Sequence, residues 1–194
     1  TALDLNAGMA AWSWDEQKIV FSASLCSGCT VWSARQIYVM NRDGTDLTQL
    51  TFDEDTSVYS DYPRWSPDNT RIVYDSNRTG DVEVWIINAD GTGNTNLTNS
   101  PGTDDWLPSF SPDGRLIVFE AMAPGDQEQE LFVMDSDGGN RRQVTFNDTI
   151  DSSVSWSHNG LDLVHIRAKF VLVDGRTELG KVLLVGSSVL TGDT

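Results

Sequence analysis

Apolar residues along this chain fall in short runs, each closed by a polar turn. Ile19-Val-Phe21, Ile72-Val-Tyr74 and Leu116-Ile-Val-Phe119 are runs of this kind, and so are Ile37-Tyr-Val-Met40, Val84-Trp-Ile-Ile87 and Leu131-Phe-Val-Met134. They are rich in β-branched and aromatic residues, which pack well on a pleated surface. Nowhere do apolar residues recur at i, i+3, i+4, i+7 over three turns, so no long helix is expected. The pattern predicts an all-β protein.

The runs are periodic. Ile37-Tyr-Val-Met-Asn-Arg-Asp-Gly44, Val84-Trp-Ile-Ile-Asn-Ala-Asp-Gly91 and Leu131-Phe-Val-Met-Asp-Ser-Asp-Gly138 align without gaps, with successive glycines 47 residues apart. A second element precedes them: Trp65-Ser-Pro-Asp-Asn-Thr-Arg-Ile-Val-Tyr74 and Phe110-Ser-Pro-Asp-Gly-Arg-Leu-Ile-Val-Phe119, with weaker copies at Trp156–His165 and Trp12–Phe21. Each Asp-Gly is followed by a polar stretch ending in Leu50-Thr51, Leu97-Thr98 or Val144-Thr145. One unit reads as four strands. Strand A ends at the Trp or Phe, and Ser-Pro-Asp-Asn/Gly turns into strand B. Strand C ends at Asp-Gly, a hairpin signal that leads into strand D. A period in the mid-forties with four strands fits a blade of a β-propeller. The expected architecture is therefore a propeller of four-stranded antiparallel blades. Four blades are recognisable, at roughly 12–51, 62–98, 107–145 and 153–186, in one domain over residues 1–194. The fourth is degenerate, with Phe170–Gly175 expected as its strand C and Lys181–Val185 as its strand D. The chain either closes on itself, forms part of a larger ring, or completes a ring by oligomerising.

Pro63-Arg-Trp-Ser-Pro-Asp-Asn69 and Pro108-Ser-Phe-Ser-Pro-Asp-Gly114, with the Ile-Tyr-Val-Met-Asn-x-Asp-Gly companion and its Leu-Thr close, resemble the TolB-like, WD40-like (PD40) propeller repeat. The resemblance covers about residues 12–165. It implies a propeller from the bacterial cell envelope or the secreted fraction, periplasmic or extracellular. Its family includes non-catalytic Tol–Pal components and propellers attached to peptidases, so the repeat specifies fold more than task.

Charge narrows the partners. Thirteen Lys and Arg against 29 Asp and Glu leave a net charge of −16. Phosphate binding needs clustered basic residues, so nucleic acid is an unsuitable partner, and anionic lipid likewise. The apolar runs fall far short of the roughly 20 residues that a membrane-spanning helix requires. Strand alternation sorts the connectors onto two ends. The D-to-A links (52–61, 99–106 and 147–151) and the B-to-C loops (22–36 and 121–130) share one end, and most are acidic. The A-to-B and C-to-D turns, with Lys18, Arg42, Arg71, Arg115, Arg141 and Arg142 near them, share the other. A focused negative potential attracts a cation or a basic protein patch.

Candidate contact residues follow. Trp12, Trp65, Phe110 and Trp156 recur in strand A, and Tyr38, Trp85 and Phe132 recur in strand C, so periodicity makes them core. Trp106, Trp32 and Tyr59 do not recur and fall in the acidic connectors, where aromatics are contact candidates. Asp104, Asp105, Asp151 and Asp61 surround them in the pattern and complete the expected binding set. No cofactor is called for. These residues, with Asp53 and Asp55, could supply oxygen ligands to calcium, although no EF-hand spacing occurs. Cys26 and Cys29 lack the further ligands of a zinc site; in an oxidising compartment they read as a disulfide pinning the first B-to-C loop, the alternative being a free or reactive pair. His165 aligns with Phe21, Tyr74 and Phe119 and so fills an aromatic core position. His158 stands in the place of the turn proline. With both histidines accounted for, a Ser-His-Asp hydrolase set has no support and no catalytic residue is assigned. The expected function is a non-catalytic binding or scaffold propeller that contacts a protein or envelope ligand. The alternatives are a glycosidase or polysaccharide lyase using channel-mouth carboxylates, or the regulatory propeller of a larger hydrolase.

Overall fold

The computed structural model describes residues 6–24, 34–122, 128–146, 148–173 and 176–189, and among these no helix occurs. Among the described residues fifteen strands follow one another in four repeats. The first repeat holds β1 (Asn6–Trp12), β2 (Lys18–Ser24), β3 (Gln36–Asn41) and β4 (Thr48–Gln49). The second holds β5 (Ser60–Trp65), β6 (Arg71–Ser76), β7 (Glu83–Asn88) and β8 (Thr95–Asn96). The third holds β9 (Asp105–Phe110), β10 (Leu116–Met122), β11 (Gln129–Asp135) and β12 (Arg142–Gln143). The fourth holds β13 (Ile150–Trp156), β14 (Asp162–Val173) and β15 (Arg176–Ser188).

The chain divides into two units, Thr1–Phe110 and Ser111–Thr194, so that the third repeat contributes β9 to the first unit and β10–β12 to the second. In the first unit, β1-β2-β3-β4 and β5-β6-β7-β8 are antiparallel four-stranded sheets in sequence order. In the second unit, β10 pairs β11, which pairs β12, and β13, β14 and β15 form a three-stranded sheet.

The turn sequences produce these pairings by one repeated device. Ser66 Oγ donates to Asp68 Oδ1 at 2.5 Å and accepts from the Arg71 amide at 2.9 Å. Ser13 with Asp15 and Ser111 with Asp113 repeat it, and in the last repeat Asn159 takes the place of the Asp beside Ser157. The donated hydroxyl holds the Asp15, Asp68 and Asp113 carboxyls below their ordinary pKa. The next residue takes a left-handed backbone, with φ of 57° at Glu16, 60° at Asn69 and 72° at both Gly114 and Gly160. A non-glycine side chain is disfavoured there. Glu16→Gly is therefore expected to stabilise the protein by about 0.5–1 kcal/mol; equilibrium urea denaturation measures it, and an unchanged or lower midpoint would contradict the turn's strain.

The Leu-Thr ending of each repeat has a separate cause. The Thr51, Thr98 and Thr145 hydroxyls accept the amides of Ile37, Val84 and Leu131 at 2.9, 3.0 and 2.9 Å. Thr98 and Thr145 also donate to the buried carboxylates of Glu83 and Glu130. The outermost strand is only two residues long, and this side chain extends its hold on strand C.

Apolar burial lies between successive sheets. In the first unit, Val20, Ile37, Val39 and Leu50 pack with Trp65, Ile72, Tyr74 and Ile87. In the second, Val118, Leu131, Val133 and Val144 pack with Leu163 and Val189. Strands covered on both faces read as continuous apolar runs, which is why Ile72, Val73 and Tyr74 are all fully buried.

Two expectations are corrected. Trp12 is not core: it is 54% exposed, whereas Trp65 is 3% and Phe110 4% exposed. Trp65 is covered by Val20 and Val39 of the sheet before its own; Trp12 belongs to the first sheet. The last repeat also pairs differently. Phe170–Val173 continues strand B and Lys181–Val185 lies inside strand C, because β14 and β15 form one long hairpin from Asp162↔Ser188 to Val173↔Arg176. The run from Asp162 to Val173 contains no Gly or Pro to stop the strand.

Candidate functional site

The connectors expected at one end do meet within the first unit. The Tyr59 amide donates to Asn77 Oδ1 at 2.8 Å, and Asn77 Nδ2 donates to the Ser57 carbonyl at 3.1 Å. Val82 N donates to Asp104 Oδ1 and Gly102 N to Asp81 Oδ2, both at 2.8 Å. These bonds join both D-to-A links of the unit to the B-to-C loop of the second repeat. Arg78 is the cation in their midst. It pairs with Asp53 at 3.1 Å and lies 4.7 Å from the centre of the Trp85 ring. Asp53, Glu54, Asp55, Asp81 and Asp104 are all at least partly exposed, so this end of the unit is acidic.

At the opposite end of this unit, A-to-B turns meet C-to-D turns within their sheets: Arg42 N donates to the Gln17 carbonyl and Ala89 N to the Thr70 carbonyl. A cleft of about 440 Å³ opens there, lined by Trp12, Ser13, Trp14, Glu16 and Arg42.

The contact candidates separate into two groups. Asp61, Asp105 and Asp151 lie in strands, not in connectors, and are 2%, 0% and 0% exposed. Asp61 Oδ2 accepts from Arg35 at 2.6 Å, and its Oδ1 accepts the Ser22 hydroxyl at 2.5 Å and the Tyr62 amide at 2.9 Å. Asp151 accepts from Arg167 Nε at 2.9 Å. The Asp105 amide donates to the Val82 carbonyl at 2.7 Å, stitching β9 to the loop before β7. Tyr59 and Asp104 on their connectors remain partly exposed, and so does Trp106, which the structure places in β9 and not in the connector expected for it. Burial, then the charges of Asp75, Asp104 and Asp61, push the Tyr59 phenol up to about 12, so it stays a neutral donor in this acidic setting. Trp32, Cys26 and Cys29 lie outside the described residues. Among the described residues no group of three or more His, Cys, Asp or Glu converges as a metal site would.

Sequence reasoning missed the buried carboxylates that join repeats. Strand A of each later repeat has a residue of positive φ, 50° at Tyr62, 53° at Leu107 and 57° at Ser153, and in β5 and β13 it sits at a bulge in the register. That turn releases an amide from the ladder. The Leu107 amide donates to Asp75 Oδ2 at 3.0 Å, and the Ser153 amide to Glu120 Oε1 at 2.7 Å. Asp75 and Glu120 follow the buried aromatics Tyr74 and Phe119 in strand B, where the first repeat has Ser22 after Phe21. A polar residue at one fixed place in an otherwise apolar strand was the available signal. The hydroxyl of Ser22 cannot serve as a carboxylate does, and Asp61 supplies the acceptor for its own bulge.

Known proteins share the fold. Residues 56–189 match PD40, the TolB beta propeller domain. An uncharacterized protein of Agrobacterium fabrum (strain C58) is 32% identical over 145 residues, 68% of this chain. The chain spans about half the length of that curated relative, 46% of it. A structure reported as TolB from Agrobacterium tumefaciens superposes with a TM-score of 0.71 at 20% identity, over 96% of this chain and 69% of that one. A puromycin hydrolase aligns with a TM-score of 0.71 at 16% identity, over 95% of this chain and 27% of that one. Repeat, turn chemistry and matched span agree, and the chain belongs to the TolB beta propeller domain family.

Proposed function

We propose that this protein is a non-catalytic binding propeller of the bacterial envelope or secreted fraction. Its contact surface is the acidic end of the first unit, with Tyr59, Asp104 and Trp106 at its centre. One observation carries the reading. Asp61, Asp105 and Asp151 are buried at 2% or less, and Asp61 and Asp151 have their oxygens engaged by groups of the scaffold. Such carboxylates hold strands and are inaccessible to a substrate, whereas Tyr59 and Asp104, on connectors braced by hydrogen bonds, and Trp106, near the start of β9, stay partly accessible. A rigid, acidic, aromatic-bearing surface suits a partner that offers basic side chains.

Capture from envelope extract on the immobilised chain, identification of the captured protein and a titration with it test this. Trp106→Ala is expected to weaken that complex at least tenfold, and added salt to weaken it further. Trp12→Ala, at the other end, is expected to leave it unchanged. Equal affinity for all three proteins would refute the proposed surface. Turnover of a polysaccharide by the chain, lost on adding EDTA, would replace the binding reading with a lyase. The likeness to the puromycin hydrolase favours one further reading, a propeller attached to a catalytic domain in a longer polypeptide.

A further inference from the structure

Two sheets each keep one face open, and the repeat shows what such faces meet. Val20, Val73 and Val118 of strand B are buried, as are Ile37, Val84 and Leu131 of strand C. Val20 and Ile37 pack with Trp65 and Tyr74 of the sheet that follows, and Val118 and Leu131 with Leu163. Val164 and Leu184 hold the corresponding places in the last sheet, where they are 38% and 78% exposed. Ile166, opposite Leu184, and Val182, two residues before it, are exposed as well. Strand alternation puts all four on one face. The first sheet is open on its other face. Trp12 is exposed where Trp65 and Phe110 are buried. Ile19 and Met40 are half-buried, whereas the facing pairs Ile72–Ile87 and Ile117–Met134 at the same places are buried.

The polar contacts between repeats select the occupant. A carboxylate one place after the strand-B aromatic accepts the amide of the left-handed residue in the next strand A: Asp75 takes Leu107 and Glu120 takes Ser153. Ile166 stands at that place in the last sheet. A further sheet of the same kind would bury its amide against isoleucine, unsatisfied. The second repeat brings its own acceptor, Asp61, but that carboxylate leans on Ser22 and Arg35 of the first sheet, and Ile166 offers it no hydroxyl. Strand β1 makes no such demand. Its residue at the corresponding place, Met9, is exposed and does not take the left-handed backbone of Tyr62, Leu107 and Ser153. Placed as Asp75 and Leu107 are, Ile166 and Met9 meet as two apolar side chains. The open face of the last sheet therefore fits the first sheet of this chain and misfits another standard repeat.

We propose that the chain associates head to tail with a second copy. The tail of one protomer, formed by Val164, Ile166 and Leu184, covers the head of the next, formed by Met9 and Trp12. The contact uses different surfaces on the two copies, so one head and one tail stay free to close a ring or to extend. It is apolar, and the net charge of −16 on each copy opposes it. Added salt is therefore expected to strengthen association, the reverse of its effect on a complex at the acidic end.

Light scattering after gel filtration, at about 100 μM protein in about 0.5 M salt, reads the mass. The unsubstituted protein is expected to exceed the mass of one chain. Leu184→Glu removes the tail and Trp12→Glu the head. Both side chains are exposed, so each variant is expected to keep the circular dichroism and urea midpoint of the parent. Each alone is expected to run as a single chain, its association weakened at least about thirtyfold. Mixed in equal amounts, the two are expected to form a complex of two chains that grows no further, because one still offers a head and the other a tail. A single-chain mass for the unsubstituted protein would overturn the proposal and give these faces to another occupant. Association of Trp12→Glu by itself, or a mixture that stays as single chains, would overturn it as well.

Discussion

Asp61→Leu is expected to lower stability by about 3–5 kcal/mol. Asp61 lies in β5 and is 2% exposed; Arg35, at the entry to β3, is 4% exposed. Their 2.6 Å ion pair spans the first two sheets. Two charges removed from water cost several kcal/mol each, and mutual attraction offsets that only while both are present. Leucine leaves a buried guanidinium without this carboxylate, and also deprives the Ser22 hydroxyl and the Tyr62 amide of their acceptor. The double substitution Arg35→Met/Asp61→Leu is expected to recover most of the loss, because the pair is then replaced by apolar volume. Urea denaturation followed by tryptophan fluorescence compares the three proteins. A single variant within 1 kcal/mol of the parent would show that Asp61 is not a structural carboxylate and return it to the list of contact residues.

Thr145→Val is expected to cost about 2–4 kcal/mol. The substitution keeps volume and β-branching, so packing changes little. It removes a hydroxyl that accepts the Leu131 amide at 2.9 Å and donates to the Glu130 carboxylate. The Thr145, Leu131 and Glu130 side chains are each at most 1% exposed, so water does not readily replace the lost bonds. Thr145→Ser keeps the hydroxyl and is expected to cost less than half as much. Equal losses in the two variants would assign the effect to the methyl group and packing. The same logic extends to Thr51 and Thr98, which makes the closing threonine a property of the repeat.

Both results concern residues that a linear reading handles unequally. The threonine recurs with the period, so its importance was visible, though its mechanism was not. The aspartate was visible too, but as an acidic connector, and its burial inverted its meaning. Tyr59 and Asp104 stay partly exposed because their connectors are braced from within and do not fold into the core; Trp106 stays partly exposed although it lies in β9.

The order of residues alone determined the strands, their turns and the family. Period-47 alignment, Ser-Pro-Asp and Asp-Gly are local signals: each acts through hydrogen bonds between residues a few positions apart, as Ser66 with Asp68 and Asn41 with Thr45 demonstrate. Which carboxylates face solvent, and which fasten one sheet to the next, was decided by contacts over long separations. Asp75 meets Leu107 and Glu120 meets Ser153 only after a positive φ has turned those amides out of the ladder. Burial is set by whichever sheet comes to lie alongside, so the same Trp position is covered at Trp65 and open at Trp12. Likewise, the histidine of the last repeat reads as a core aromatic in sequence, and meets the carboxylate of Asp151 and the hydroxyl of Ser187 only where folding brings their strands around it.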